Sequence, residues 1–245
     1  MKRVMLTVAY DGTAYSGFQV QENAATIEGE LNRCLRELLK EEIKVTGGSR
    51  TDAGVHALCN VAVFDTQARM PGEKISYALN QRLPEDIRIR KSEETAADFH
   101  PRHCESRKTY EYRITNAEFP VPTKRLYSYF TYVPLDAAKM QAAADYLVGT
   151  HDFKSFCSAG SQVESTVRTI FSLQVRREKE EIIIRVTGNG FLYNMVRIIA
   201  GTLMEAGKGK REPESMMEIL AAEDRGAAGP TAPACGLMLT NYEFI

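Results

Sequence analysis

Residues 47–57 read Gly47-Gly48-Ser49-Arg50-Thr51-Asp52-Ala53-Gly54-Val55-His56-Ala57. The glycines on both sides allow the backbone to turn tightly and to approach a ligand closely. Arg50 and Asp52 lie two residues apart, so an extended backbone places their side chains on the same side. A carboxylate there can act as nucleophile or general base, and a nearby guanidinium can bind a phosphate or a displaced base. Local chemistry alone favours a plainer interpretation, a polar loop whose aspartate caps the backbone and whose arginine is a surface charge.

The residues around this stretch predict a mixture of strands and helices. Alternating or β-branched residues predict strands at 3–10, 60–64 and 87–89. Thr26 is predicted to cap a helix whose apolar stripe consists of Ile27, Leu31, Leu35 and Leu38.

A comparable order of elements follows in the second half of the chain. Strands are predicted at 110–114 and 181–186, and a last strand near 237–244. Asp136 is predicted to cap a helix that ends near Gly149, and another helix is predicted from about Leu192. Because the halves share a strand-helix-strand rhythm, we divide the chain into residues 1–104 and residues 105–245.

The composition is that of a soluble globular protein, with 44% hydrophobic and 26% charged residues. No apolar run approaches the ~20 residues that cross a bilayer, and Met1 leads directly into a strand, so we expect a cytoplasmic protein without membrane segments. The five widely spaced cysteines predict reduced thiols. The net charge is -1, so an RNA partner requires basic residues gathered in a cleft while acidic residues face elsewhere.

Two other patterns suggest ligand sites without meeting the requirements for them. Gly188-x-Gly190 before a helix is part of a dinucleotide-binding pattern, but the sixth position of that pattern is a tyrosine here. His100, His103 and Cys104 are close in sequence, but no fourth metal ligand is evident. We therefore predict neither a dinucleotide-binding fold nor a metal site.

The segment 50–57 resembles the signature of the TruA family of tRNA pseudouridine synthases. Other segments also resemble that family and follow its order: Phe18-Gln19-x-Gln21, Ala78-Leu79-Asn80, Leu83-Pro84-x-Asp86-Ile87, Phe99-His100-x-Arg102, Tyr110-x-Tyr112, Gly149-Thr150-His151-Asp152-Phe153, Gly188-Asn189-Gly190-Phe191-Leu192-Tyr193-Asn194-Met195-Val196-Arg197 and Thr231-Ala232-Pro233-Ala234-Cys235-Gly236-Leu237. The resemblance covers essentially the whole chain.

The resemblance implies a fold, a reaction and a partner. The fold is α+β, with two similar α/β subdomains joined through a continuous, mostly antiparallel sheet around a central basic cleft. The reaction converts uridine to pseudouridine by detaching uracil from ribose at N1 and rejoining it through C5, without a metal or organic cofactor. The substrate is tRNA, by family default at uridines 38, 39 and 40 of the anticodon stem-loop, and the protein is a homodimer.

The resemblance also assigns roles to four residues. Asp52 corresponds to the catalytic aspartate, and Arg197 to the partner that keeps the aspartate ionised and oriented. Arg50 lies within the matching signature, and its guanidinium chemistry suggests a role on the extruded nucleotide. Tyr110 corresponds to the residue that stacks on the target uracil, and Leu237 to an apolar residue of the uracil pocket. Without the resemblance, Tyr110 and Leu237 are interpreted as core residues and Arg197 as an exposed helix residue.

Some positions depart from the family pattern, and other functions remain open. The chain has Gly47-Gly48-Ser49 in place of Gly-Ser-Gly, Phe18 in place of tryptophan, and Cys59-Asn60 in place of Gly-Gln. These departures leave room for an altered site preference. One alternative is a non-catalytic RNA-binding module, although a carboxylate would repel phosphates. Another is a hydrolase that cleaves the glycosidic bond, which normally needs a second carboxylate as general acid. His56, which follows the Asp52 loop, is predicted to make a structural hydrogen bond.

Overall fold

A computed structural model of the chain describes residues 1–160 and 163–245. Its helices are α1 (Ile27–Leu39), α2 (Gly72–Leu79), α3 (Ala137–Asp145), α4 (Met195–Gly207) and α5 (Ser215–Ala222). Its strands are β1 (Lys2–Tyr10), β2 (Thr46–Gly47), β3 (His56–Thr66), β4 (Ile87–Thr95), β5 (Ser106–Asn116), β6 (Tyr129–Thr131), β7 (Gly149–Asp152), β8 (Val167–Glu178), β9 (Glu181–Gly188) and β10 (Leu237–Phe244). This mixture of helices with mostly antiparallel strands confirms the predicted α+β class.

The chain folds as two compact units. The first unit contains Met1–Ser106 together with Leu239–Ile245, and the second contains Arg107–Met238. Most of β10 therefore belongs to the first unit although it is the last strand in sequence, so this unit is built from two separate parts of the chain.

In the first unit the strand order is β4-β1-β3-β10, and β2 pairs with β3. Strand β1 runs antiparallel to β3 and to β4, which places Val4 opposite Phe64 on one side and Glu94 on the other. Burial alternates along β1 because successive side chains of a strand point to opposite faces. The buried face consists of Val4, Leu6, Val8 and Tyr10, as the sequence predicts.

Helix α1 covers part of the first unit and follows its predicted boundaries closely. The Thr26 side chain accepts a hydrogen bond from the Gly29 amide at 3.2 Å, which confirms the N-cap. Lys40 ends the helix in a left-handed conformation with φ of 58°. Between these ends, the buried stripe includes Ile27, Leu31 and Leu35.

In the second unit the strand order is β5-β9-β8-β7, and β6 pairs parallel to β5. Helix α3 packs on β8 and on α4. Helix α4 is buried over most of its length, since it is the central helix of this unit's core.

Two helix boundaries in the second unit differ from the sequence prediction. Helix α4 begins at Met195 and not near Leu192, because Asn194 adopts a left-handed conformation with φ of 61°. Asparagine is one of the few residues with a side chain that tolerates this region. Helix α3 ends at Asp145 and not near Gly149, which has φ of 114° and begins β7.

The structure also bears on the predictions of reduced thiols and of a chain without membrane segments. All five cysteines are free thiols, and Cys34 and Cys157 are buried. Within residues 1–160 and 163–245, no helix combines the length and the apolar character needed to cross a membrane.

Candidate active site

Asp52 lies at the start of a tight turn in the first unit. The Val55 amide donates to the Asp52 carbonyl at 3.1 Å, which closes a turn over residues 52–55 that we call the Asp52 turn. Gly54, at its third position, has φ of +77°, a conformation that favours glycine. The Asp52 side chain is half-buried, and Arg50 on the approach to the turn is exposed. The turn therefore presents a carboxylate from a backbone of defined conformation.

The Asp52 turn packs backbone against backbone on residues 12–18. The Phe18 amide donates to the Thr51 carbonyl at 3.1 Å, and the Gly54 amide donates to the Tyr15 carbonyl at 3.2 Å. Gly17 has φ of +94°, and a Cβ atom there would lie 2.6 Å from the Thr51 carbonyl oxygen. A Cβ atom on Gly12 would lie 2.0 Å from the Val55 carbonyl oxygen. Only glycine at positions 12 and 17 lets these two backbone segments come so close.

Gly47 and Gly48 make room for the protein's own aromatic rings. A Cβ atom on Gly47 would lie 2.2 Å from the Phe18 ring, and one on Gly48 would lie 2.7 Å from the Tyr242 hydroxyl. The sequence suggests that these glycines serve a ligand, whereas the structure gives them a packing role in the first unit. Phe18, where the family pattern has tryptophan, thus packs on the segment that leads to the Asp52 turn.

His56 makes the structural hydrogen bond that the sequence predicts. Its Nδ1 accepts from the Gly12 amide at 3.1 Å, and the residue is almost completely buried. A carboxylate oxygen of Asp11 also lies 3.1 Å from Nδ1. The same Asp11 oxygen also accepts from the Thr13 amide and hydroxyl at 3.0 and 2.6 Å.

Arg102 is a basic residue of the first unit next to the Asp52 loop, and the sequence assigns it no role. Its Nε donates to the Gly47 carbonyl at 2.7 Å. Partial burial, and then the neighbouring positive charge of Arg50, lower the pKa of Arg102 from its ordinary value. The charge of Glu28 acts on this pKa in the opposite direction, so Arg102 lies among charges of both signs, and its guanidinium suits contact with a phosphate. The segment Phe99-His100-x-Arg102 in the family pattern is the signal that points to it.

In the second unit, Tyr110 lies in β5 opposite Val186 of β9. It is buried, and its ring meets the Phe191 ring edge-on, with centroids 5.2 Å apart. Tyr112 points to the same face because it is two residues further along the strand. The burial of Tyr110 agrees with the interpretation of a core aromatic, and its role at uracil stays a prediction.

Arg197 lies in the first turn of α4, and its side chain bonds to residues on either side of it in sequence. Its Nη1 donates to the Asn194 side-chain oxygen at 2.7 Å, and its Nε donates to the Ala232 carbonyl at 2.7 Å. The Ala232 amide in turn donates to the Arg197 carbonyl at 3.1 Å. The left-handed Asn194 therefore ends the loop before α4 and also orients the guanidinium, a function that the sequence does not reveal.

Leu237 follows a short turn that packs on Tyr112. The Tyr112 hydroxyl donates to the Pro233 carbonyl at 2.8 Å, and a Cβ atom on Gly236 would lie 2.7 Å from the Tyr112 ring. Leu237 itself is buried. Arg197 lies close enough to oppose the rise that burial causes in the pKa of both Tyr112 and Cys235. The structure thus gathers Arg197, Tyr112 and residues 232–236 in the second unit.

His100, His103 and Cys104, which are close in sequence, do not surround a common point: the two histidine rings stack on each other. The rings of His100 and His103 stack with centroids 4.0 Å apart. Desolvation first, and then the charges of His103, Arg102 and Arg3, lower the pKa of His100. In the part of the chain that the structure describes, no group of three or more His, Cys, Asp or Glu residues is placed to hold a metal ion.

Comparison with known proteins identifies the family of the chain. A family model described as tRNA pseudouridine synthase matches residues 6–103 and 143–244. Proteins named tRNA pseudouridine synthase A are 49% identical in Brevibacillus brevis and 45% identical in Thermoanaerobacter sp. (strain X514), in each case over 98% of both chains. The protein of that name in Acetivibrio thermocellus is 46% identical over the whole of both chains.

A solved structure of the archaeal box H/ACA sRNP Nop10–Cbf5 complex gives a TM-score of 0.39 at 12% identity, covering 97% of this chain and 47% of that chain, a likeness too weak to inform the site. The full-length relatives and the family model agree with each other. The chain therefore belongs to the tRNA pseudouridine synthase family.

Proposed function

We propose that this protein converts uridine to pseudouridine in the anticodon stem-loop of tRNA, at uridines 38, 39 and 40, with Asp52 as the catalytic carboxylate. The observation that carries the proposal is the placement of Asp52. It lies half-buried at the start of a tight turn. Backbone hydrogen bonds connect this turn and the residue before it to Tyr15 and Phe18. A reacting carboxylate depends on its position to within a fraction of an ångström, and this turn gives Asp52 a defined position.

The reaction needs one carboxylate and no external reactant. The C1′–N1 bond of uridine breaks, a C1′–C5 bond forms, C5 loses a proton and N1 gains one, so the product is an isomer of the substrate. Asp52 attacks either the ribose or the base and is released when the new bond is complete. The target nucleotide must leave its stack before the carboxylate can reach it. Water must be excluded while the base is detached, or uracil would be lost to hydrolysis.

The other predicted site residues fit supporting roles in this reaction. The exposed Arg50 suits contact with the extruded nucleotide or its phosphate, and Arg197 suits the role of a cation that keeps Asp52 ionised. Tyr110 offers a ring that can stack on uracil while tolerating its rotation. Leu237 is buried and apolar, as a wall of a uracil pocket requires.

Incubation with unmodified tRNA followed by chemical mapping of pseudouridine tests this function against its two alternatives. We expect pseudouridine in the anticodon stem-loop and no free base. Binding without any product would favour a non-catalytic RNA-binding module. Release of free uracil would favour a glycosidic hydrolase.

Salt dependence of tRNA binding gives a second prediction. Because phosphate contacts release counterions, the logarithm of the binding constant should fall linearly with the logarithm of salt concentration. We expect Arg102→Gln to reduce the magnitude of that slope by about one. Arg176→Gln is the matched control, since Arg176 is exposed and already pairs with Glu178 at 3.1 Å. An equal slope for the Arg102 variant and the wild type would remove Arg102 from the interface.

The assembly state is a separate expectation. A homodimer stays a prediction, and sedimentation equilibrium of the purified protein checks it. A monomer at micromolar concentration would contradict it without affecting the catalytic role of Asp52.

A further inference from the structure

The side chain of Asn60 continues the pairing of β2 with β3 beyond the end of β2. The regular ladder places Gly47 opposite Ala62, and the Gly48 amide then donates to the Val61 carbonyl at 2.7 Å. At Ser49, Asn60 Oδ1 accepts from the Ser49 amide at 3.2 Å, and Nδ2 donates to the Ser49 carbonyl at 2.9 Å. Both backbone groups of Ser49 are therefore fixed by one amide side chain, which mimics a strand partner.

Tyr10 connects Asn60 to the residue directly before Asp52. Asn60 Nδ2 also donates to the Tyr10 hydroxyl oxygen at 3.1 Å, and that hydroxyl lies 2.7 Å from the Thr51 hydroxyl. Asn60 and Tyr10 are buried in the core, and Thr51 is only 7% exposed. These contacts form one continuous chain of hydrogen bonds, which we call the Tyr10–Asn60–Thr51 network.

The donor and acceptor capacities of the side chains are met within this network. A phenol has one proton, and here its oxygen already accepts from Asn60. The Tyr10 and Thr51 hydroxyls can each donate or accept, so the 2.7 Å bond between them forms in either direction. Burial raises the pKa of Tyr10 from its ordinary value, so the phenol keeps its proton at any physiological pH.

We infer that Tyr10, Asn60 and Thr51 are positioning residues for Asp52, an inference that rests on the proposed function. The network fixes the backbone at Ser49 and the side chain at Thr51, the two neighbours of Arg50. It therefore determines where Arg50 and Asp52 project, although none of its members needs to touch the substrate.

Thr51→Val tests the inference, because it replaces one hydroxyl by a methyl group of similar size. At saturating tRNA we expect the single-turnover rate to fall by roughly 10- to 100-fold, since small displacements of a reacting group have effects of that order. The dissociation constant for tRNA should change by less than about threefold, because phosphate contacts dominate affinity. Thr51→Ser retains the hydroxyl and should restore the rate to within about threefold of the wild type.

Thr115→Val is the matched control in the second unit. Thr115 is buried, and its hydroxyl lies 2.8 Å from the Ser128 hydroxyl, so the substitution removes an equivalent bond far from Asp52 in sequence. It should lower the melting temperature as Thr51→Val does while leaving the single-turnover rate unchanged.

Three results would overturn the inference: a wild-type rate in Thr51→Val, an equal loss of rate in Thr115→Val, or a rate in Thr51→Ser as low as in Thr51→Val. If Thr51→Val does not fold, Tyr10→Phe removes a single oxygen from the same network, and a wild-type rate in that variant overturns the inference. A wild-type protein that forms no pseudouridine contradicts the proposed function itself, which distinguishes the two failures.

Discussion

Replacement of Asp52 by asparagine is expected to abolish pseudouridine formation, with a loss of at least about 10³-fold in the single-turnover rate. Asparagine has nearly the same shape and leaves the bond from the Val55 amide to the carbonyl of residue 52 in place. It cannot ionise, however, so it supplies neither a nucleophile nor a base. Binding of tRNA should survive, because removal of a negative charge does not weaken phosphate contacts.

The control for this prediction is Asp65→Asn in the same unit. Asp65 pairs with Arg3 at 2.7 Å, and that pairing lowers the pKa of the carboxyl from its ordinary value. The substitution removes a structural carboxylate and should leave the rate of pseudouridine formation close to that of the wild type. Substantial turnover in Asp52→Asn, measured against this control, would remove Asp52 from the chemistry.

Gly201→Ala is expected to give the largest loss of stability. In a helix interior, alanine is ordinarily better than glycine by about 1 kcal/mol. Here a Cβ atom on Gly201 would lie 1.8 Å from the Pro230 carbonyl oxygen, so α4 and the 230–232 segment must separate. Overpacking of this kind costs about 1–3 kcal/mol or more, which outweighs the gain in helix propensity. We expect a net loss of roughly 2 kcal/mol and a melting temperature lower by roughly 4–8 °C.

The same substitution should also lower activity, because the displaced segment holds Arg197. The Ala232 carbonyl accepts from Arg197 Nε, so movement of residues 230–232 removes a contact that orients the guanidinium. Gly190→Ala is the control, since a Cβ atom there would make only an ordinary contact, 3.7 Å from Arg168. Thermal unfolding and single-turnover rates would check both effects. An unchanged or raised melting temperature in Gly201→Ala would contradict the close packing of α4.

Local patterns predicted the elements whose formation depends on neighbours in sequence. The alternation in β1, the Thr26 cap of α1 and the last strand at 237–244 all appear as the sequence predicts. In these elements, periodicity and capping act within a few residues of each other, so a single sequence carries enough information.

Other features depend on contacts between distant residues, which no local pattern reveals. Arg197 is held by the Ala232 carbonyl, which lies 35 residues further along the chain. Residues 239–245 belong to the first unit although more than 130 residues of the second unit (Arg107–Met238) precede them in sequence, and no local pattern predicts this.

The candidate site shows the same division. The loop that contains Asp52 is recognisable by its resemblance to the family signature, but the residues that support the loop are not. Tyr10 and Asn60 are 50 residues apart and each fits an ordinary strand position, so their hydrogen bond is visible only in the structure. Arg102, at a separation of 55 residues from Gly47, is likewise placed by the fold.

Pseudouridine mapping on total tRNA from cells that lack this protein, with and without a restored copy, is the most direct test of the catalytic role of Asp52. We predict that pseudouridine disappears from the anticodon stem-loop at positions 38, 39 and 40, and that the wild-type copy restores it while Asp52→Asn does not. An unchanged pseudouridine map in the deficient cells, or full restoration by Asp52→Asn, would contradict that role.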